Sequence, residues 1–152
     1  MAPPRPALAS RRGIAAAEFA LIAPVVILVF LSVYDVGRAV WRTMQLETAA
    51  RIGAQYAFAN PTDTAGITSR VQASLAGWTG LTIASPTMAC QCDNGTAANC
   101  STGTCPFGAG TVSPIGYITV TVTQPLSFIS PLTAALFPTM ATLRGSVALR
   151  FH

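Results

Sequence analysis

Charge is what this chain has least of. Asp, Glu, Lys and Arg make up 9% of its 152 residues and the apolar fraction is 51%, whereas a soluble globular chain carries charge at about a quarter of its positions. That balance excludes a disordered chain and an ordinary cytosolic enzyme, and points to membrane attachment. Lysine is absent, and all nine basic residues are arginine. Arg5, Arg11 and Arg12 precede residue 13, and from Ile14 onward six arginines face five acids, so the net charge of +4 belongs mainly to the N-terminal tip. No basic stripe remains for a nucleic-acid surface. Histidine occurs once, as His152, and the acids Asp35, Glu47, Asp63 and Asp93 are scattered along the chain. A positioned general base, paired carboxylates, a glycine-rich phosphate loop and a His-based metal motif are therefore all missing. The residues predict no enzyme, no cofactor and no small-molecule substrate.

What the chain does have is one long apolar run. From Ile14 to Tyr34 the only charge is Glu18, and these residues cover roughly 30 Å as a helix, the thickness of a bilayer core. One transmembrane helix follows, and the preceding arginines place its N-terminus on the cytoplasmic side. A signal peptide has a similar start, but its apolar core spans only about 7 to 15 residues, and the small-x-small site at Gly37-Arg38-Ala39 is charged at its centre. Pro24 lacks a backbone donor, which predicts a bend near residues 20 to 24.

The segment RRGIAAAEFALIAPVVILVFLSVYDVGRAV, with the later ETAARIGAQYA, resembles type IV pilin-like proteins and more specifically the TadE-like minor pseudopilins of tight-adherence (Flp) pilus systems. The resemblance is strong over residues 11 to 59 and only architectural beyond them. It implies cleavage between Gly13 and Ile14 by a prepilin peptidase, which leaves Glu18 fifth and Phe19 sixth as the assembly and recognition residues. Implied partners are that peptidase, inner-membrane lipid, other pilin or pseudopilin subunits and the pilus assembly platform. The physical case for Glu18 stands beside this, because an acid in apolar surroundings needs a partner. Cleavage would create one in the α-amine of Ile14, one helical turn away. The same carboxylate is placed to neutralise the amine of an adjacent subunit, or to be solvated at the headgroup level beside Arg11 and Arg12.

Helical spacing continues through Leu46, Ala49, Ala50, Gly53, Tyr56 and Ala57 and stops at Asn60-Pro61, which predicts a helix from about residue 14 to 59, on the order of 70 Å long. Asp35 with Arg38 and Glu47 with Arg51 have the spacing of helix-surface ion pairs. After Asp63, the four-residue recurrence of Ile67, Val71 and Leu75 predicts a short amphipathic helix covering a sheet. Strands are expected at Leu81 to Met88, Tyr117 to Thr123 and Ala141 to Phe151, alternating apolar and polar as an antiparallel sheet with one solvated face. The intervening PLSFISPLTAALFP reads as a loop with one helical turn, its apolar residues either packed under the sheet or forming a subunit contact.

Residues 90 to 105, CQCDNGTAANCSTGTC, place four cysteines in a polar loop. On the oxidising side of the membrane an even count favours disulfides. Cys90 with Cys92 is the poorest pairing, which leaves Cys90–Cys105 with Cys92–Cys100, or Cys90–Cys100 with Cys92–Cys105. A four-thiolate zinc site is the competitor, although the spacing departs from the usual pattern.

The expected organisation is a basic leader over 1–13, a transmembrane helix over 14–34, its extracytoplasmic continuation over 35–59, and a small α+β domain over 60–152 that carries the cysteine loop. The location is the bacterial inner membrane, single-pass, with the domain in the periplasm. The function implied by the resemblance is that of a processed minor pilin-like subunit in Flp pilus assembly. The alternative is an uncleaved single-pass protein whose outer domain binds a partner without polymerising.

Overall fold

The computed structural model describes residues 12–101, 105 and 113–151, with backbone alone for Arg12, Gly13, Ile14 and Phe151. Arg5 and Arg11 of the expected leader, and His152, lie outside the described residues. In chain order the elements are α1 (Arg12–Ala59), α2 (Thr64–Ser74), β1 (Thr82–Ile83), β2 (Thr87–Gln91), β3 (Ala97–Ala98), β4 (Ile115–Pro125), α3 (Pro131–Leu136), a 3-10 turn (Pro138–Ala141) and β5 (Thr142–Phe151).

Helix α1 is 48 residues long and runs through Pro24 without interruption. None of Ala15 to Phe30 is buried against the protein. Over Ala15–Ala59 the helix is long and apolar enough to cross a membrane, its apolar window having a mean hydropathy of 2.5. Burial begins further along, where Ala39, Leu46, Ala49, Ala50, Ala54 and Ala57 lose nearly all exposure. Small side chains on that face let the sheet and a second helix approach closely. At Gly53 an added Cβ would lie 2.5 Å from Val71 Cγ2, so any larger residue there forces Val71 to move at this crossing of α1 and α2.

β4 is the centre of an antiparallel sheet. All of it but Ile115 pairs with β5, from Gly116↔Phe151 to Pro125↔Thr142, and its other edge takes β1 and then β2 end to end. The single strand expected over Leu81 to Met88 is therefore split. Three residues, Ala84 to Pro86, stand opposite two, Val120 and Thr121, between the pairs Ile83↔Val122 and Thr87↔Thr119. Pro86 has no N–H to give the ladder, and an unmatched residue makes a bulge there. Ile118, Val120 and Val122 point into the core with Ile67, Val71 and Leu75 of the α2 region, while Arg144, Ser146 and Arg150 of β5 are exposed, as period-two patterning predicts.

The sheet is covered by α1 itself. Helix α2, expected as the cover, packs beside α1 and sends Ile67 and Val71 into the shared core. Its start is the one the Thr/Asp signal predicts, since Asp63 Oδ1 accepts the Gly66 N–H at 2.9 Å. Tyr56 of α1 donates its hydroxyl to Asp63 Oδ2 at 2.8 Å. The Gly66 amide first and the Tyr56 hydroxyl second hold the Asp63 carboxyl below its usual range. A depressed folded-state value stabilises the fold above the unfolded carboxylate pKa of about 3.9 and loses that contribution as pH falls through the folded value. Melting temperatures of the wild type and Asp63→Asn should accordingly differ by a constant amount above about pH 5 and converge in acid. A gap independent of pH down to about pH 2 would show that the carboxylate charge does not matter there.

Candidate functional site

The residues singled out in the sequence fall at opposite ends of the molecule. At one end, Gly13 and Ile14 have helical backbone in the first turn of α1. Glu18 and Phe19 follow one turn later, both exposed, with Phe19 at 72%. Glu18 lies ~25 Å along the axis from Asp35, at 1.5 Å per residue. No described element of the folded head reaches it.

At the other end, the cysteines form the crossed pair of disulfides, Cys90–Cys100 and Cys92–Cys105. Their sulfurs are consumed in cross-links rather than held as four thiolates. Residues Cys90 and Gln91 of β2 pair with Ala98 and Ala97 of β3, and Cys92 N–H donates to the Thr96 carbonyl at 2.9 Å to close the turn through Asn94-Gly95. Asn94 Oδ1 accepts from the Thr96 N–H and Asn99 Oδ1 from the Ser101 N–H, so polar side chains and cross-links replace the missing apolar core of this hairpin. Val120 lies against Gly53 of α1 while Cys90 pairs with Gly116, which carries the hairpin at the end of the sheet away from the apolar run.

Between these ends lies a neck that sequence reading missed. Asp35, expected to be a surface ion-pair partner, is completely buried. Its Oδ2 accepts the N–H groups of Ile129 at 3.0 Å and Ser130 at 2.8 Å, and Arg38 Nη2 approaches Oδ1 at 3.4 Å. Arg38 Nη2 also donates to the Ser127 carbonyl, and the Ser32 and Ser130 hydroxyls meet at 3.0 Å. The second expected pair, Glu47 with Arg51, does not form; both residues are exposed, where such a pair gains only tenths of a kcal/mol.

The clamp fastens the connection between β4 and β5, whose base is closed by Leu126 N–H donating to the Ala141 carbonyl at 2.8 Å. The segment carries its expected helical turn as α3, and it is only partly packed under the sheet. Leu126 and Phe128 join the core, but Ile129, Leu132, Leu136 and Phe137 stay exposed. The one available sequence signal was position: Asp35 is the first charge after the apolar run, where a buried acid has backbone donors to find.

The fold and its sites define a single-span anchor whose helix continues as the spine of a small, disulfide-stapled α+β head, with no group of His, Cys, Asp and Glu among the described residues suited to a metal. Residues 13–55 match the family model described as TadE-like protein; the similarity lies within α1 and begins at Gly13. No curated protein and no solved structure matches the chain.

Proposed function

We propose that this chain is a minor pilin-like subunit that takes part in assembly of a tight-adherence pilus after a prepilin peptidase cuts between Gly13 and Ile14. The observation that carries the reading is the start of the TadE-like match at Gly13, with Glu18 and Phe19 in the first turns of an apolar helix. The exposure of that whole run suits lateral packing against other subunits and lipid. Two disulfides suit a head on the oxidising side of the membrane, and the arginine-rich tip suits a cytoplasmic N-terminus. After the cut, the new amine neutralises Glu18 within the chain or in a neighbour, which removes the cost of an isolated acid among apolar helices.

Intact mass of protein isolated from cells with the matching peptidase should show the loss of residues 1–13. A full-length mass there would favour the uncleaved, partner-binding alternative. Glu18→Ala should leave the head folded and the protein membrane-inserted while pilus number falls by tenfold or more, because the residue touches nothing in the head. Unchanged pilus number with intact processing would remove the amine-neutralising role.

A further inference from the structure

We propose that the neck carries a binding site for an anionic phospholipid with a hydroxylated headgroup, in the leaflet on the head's side of the membrane. The inference rests on α1 spanning a bilayer and is independent of processing and pilus assembly.

A cavity of about 470 Å³ opens beside α1. Its charged lining is Arg38 and Arg42, its aromatic lining is Trp41 and Trp78, and Gln124 lies on its inner wall. The two indole rings pack with centroids 5.9 Å apart, and the Arg42 guanidinium lies over Trp78 at 5.5 Å from the ring centroid. No acid among the described residues pairs with Arg42. Two buried polar atoms on residues that line it have no hydrogen-bond partner among the described residues: Arg38 Nε, a donor, and Gln124 Oε1, an acceptor. Gln124 is only 4% exposed, and its amide is fixed by Nε2 donating to the Thr79 carbonyl at 3.0 Å. Buried polar atoms demand partners, and these two demand opposite ones.

A phosphodiester answers the arginine donors, and a hydroxyl carried beyond it answers the glutamine oxygen. Both features belong to a phosphoglycerol headgroup.

The position along α1 names the source. Arg38 and Arg42 stand ~6 and ~12 Å beyond Tyr34 at the helical rise, and the headgroup layer is about 5 to 8 Å deep on each side of the hydrocarbon. Long arginine side chains reach back toward it, and tryptophan favours that layer. On the clamp's side of the neck, Ile129, Leu132, Leu136 and Phe137 present apolar surface close to Ser32 and Val36, which suits a head resting on the membrane. A second cavity of about 460 Å³, lined by Tyr34, Gly37 and the same Arg38, Trp41 and Arg42, continues the first along the helix toward the apolar run. It gives the glycerol backbone and upper acyl chains a path back into the bilayer.

The chain has only two tryptophans, and both line the cavity, so in the folded protein the tryptophan emission reports on this site. The full chain in detergent micelles is titrated with phosphatidylglycerol, phosphatidylcholine or soluble glycerol phosphate. Phosphatidylglycerol should shift the emission at a mole fraction at least tenfold lower than phosphatidylcholine, and glycerol phosphate should have no effect at millimolar concentration. Arg42→Gln should cut the preference to twofold or less. Gly37→Leu should do the same by filling the groove, and it spares the fold because an added Cβ at Gly37 meets nothing within 4 Å. Far-UV circular dichroism confirms that both variants are folded. Equal response to the two lipids, or a preference unchanged in both variants, overturns the proposal. An equal response to glycerol phosphate assigns the pocket to a soluble ligand and overturns the lipid source. A shift that tracks protein concentration instead of lipid assigns it to a neighbouring subunit and likewise overturns it. Resistance of the chain to alkaline extraction from membranes tests the span separately, so failure of the anchor and failure of the pocket are told apart.

Discussion

Gly145→Val is expected to be the most disruptive single substitution in the head, destabilising it by about 3 kcal/mol or more. Gly145 of β5 is buried, and a Cβ placed there would fall 2.4 Å from the Leu46 carbonyl carbon and 2.5 Å from the Glu47 nitrogen of α1. Both are backbone atoms, so no rotamer change relieves the clash and the strand must leave the helix. Glycine inside a strand marks such a close approach of two backbones. Denaturant unfolding of the detergent-solubilised protein, followed by tryptophan emission, measures the loss. Ala148→Val, at an exposed site on the same strand, is the control and should stay within about 0.5 kcal/mol of wild type. A Gly145→Val loss as small as the control's would mean that β5 and α1 do not touch.

Asp35→Ala should be next in size, at about 3 kcal/mol. Removing the carboxylate, which is itself fully buried, leaves the Ile129 and Ser130 amides without acceptors and Arg38 without its counter-charge. The local effect should exceed the global one, because the clamp is what fastens Leu126 to Ala141 against α1. Hydrogen exchange at the Ile129 and Ser130 amides should accelerate at least tenfold, and protease should nick the segment while β4 and β5 stay paired. Asp35→Asn retains one acceptor oxygen and should fall between the two. Unchanged exchange at both amides in Asp35→Ala would remove the clamp from the account of the neck.

These two positions show where sequence reading stops. Asp35 and Arg38 are three residues apart, and local spacing gives them to each other as a surface pair. Their decisive partners lie far along the chain, at Ser127, Ile129 and Ser130. Gly145 breaks an otherwise clean alternation in β5, which marks it as unusual without saying what approaches it. The Trp41–Trp78 cavity is of the same kind, since its walls come from helix α1, the turn after α2 and the end of β4, and no motif joins them. The cysteine spacing leaves two pairings open because both close loops of similar length, and only the fold of β2 against β3 separates crossed from nested.

Local chemistry by itself determined the parts that depend on neighbours within a turn or a pleat. The apolar run after Arg12, its continuation to Asn60-Pro61, the Asp63 start of α2 and the alternation in β4 and β5 are all set by interactions between residues two to four apart, where side-chain direction repeats with the backbone. The start of the TadE-like match at Gly13 belongs to that same local record. Tertiary structure decided that α1, rather than α2, covers the sheet, that Pro86 divides one expected strand into two, and that the β4–β5 connection is clamped at the neck. Each of these turns on which surfaces exclude water together, and that depends on the three-dimensional closure of α1 over β4 and β5, where residues about a hundred positions apart become neighbours.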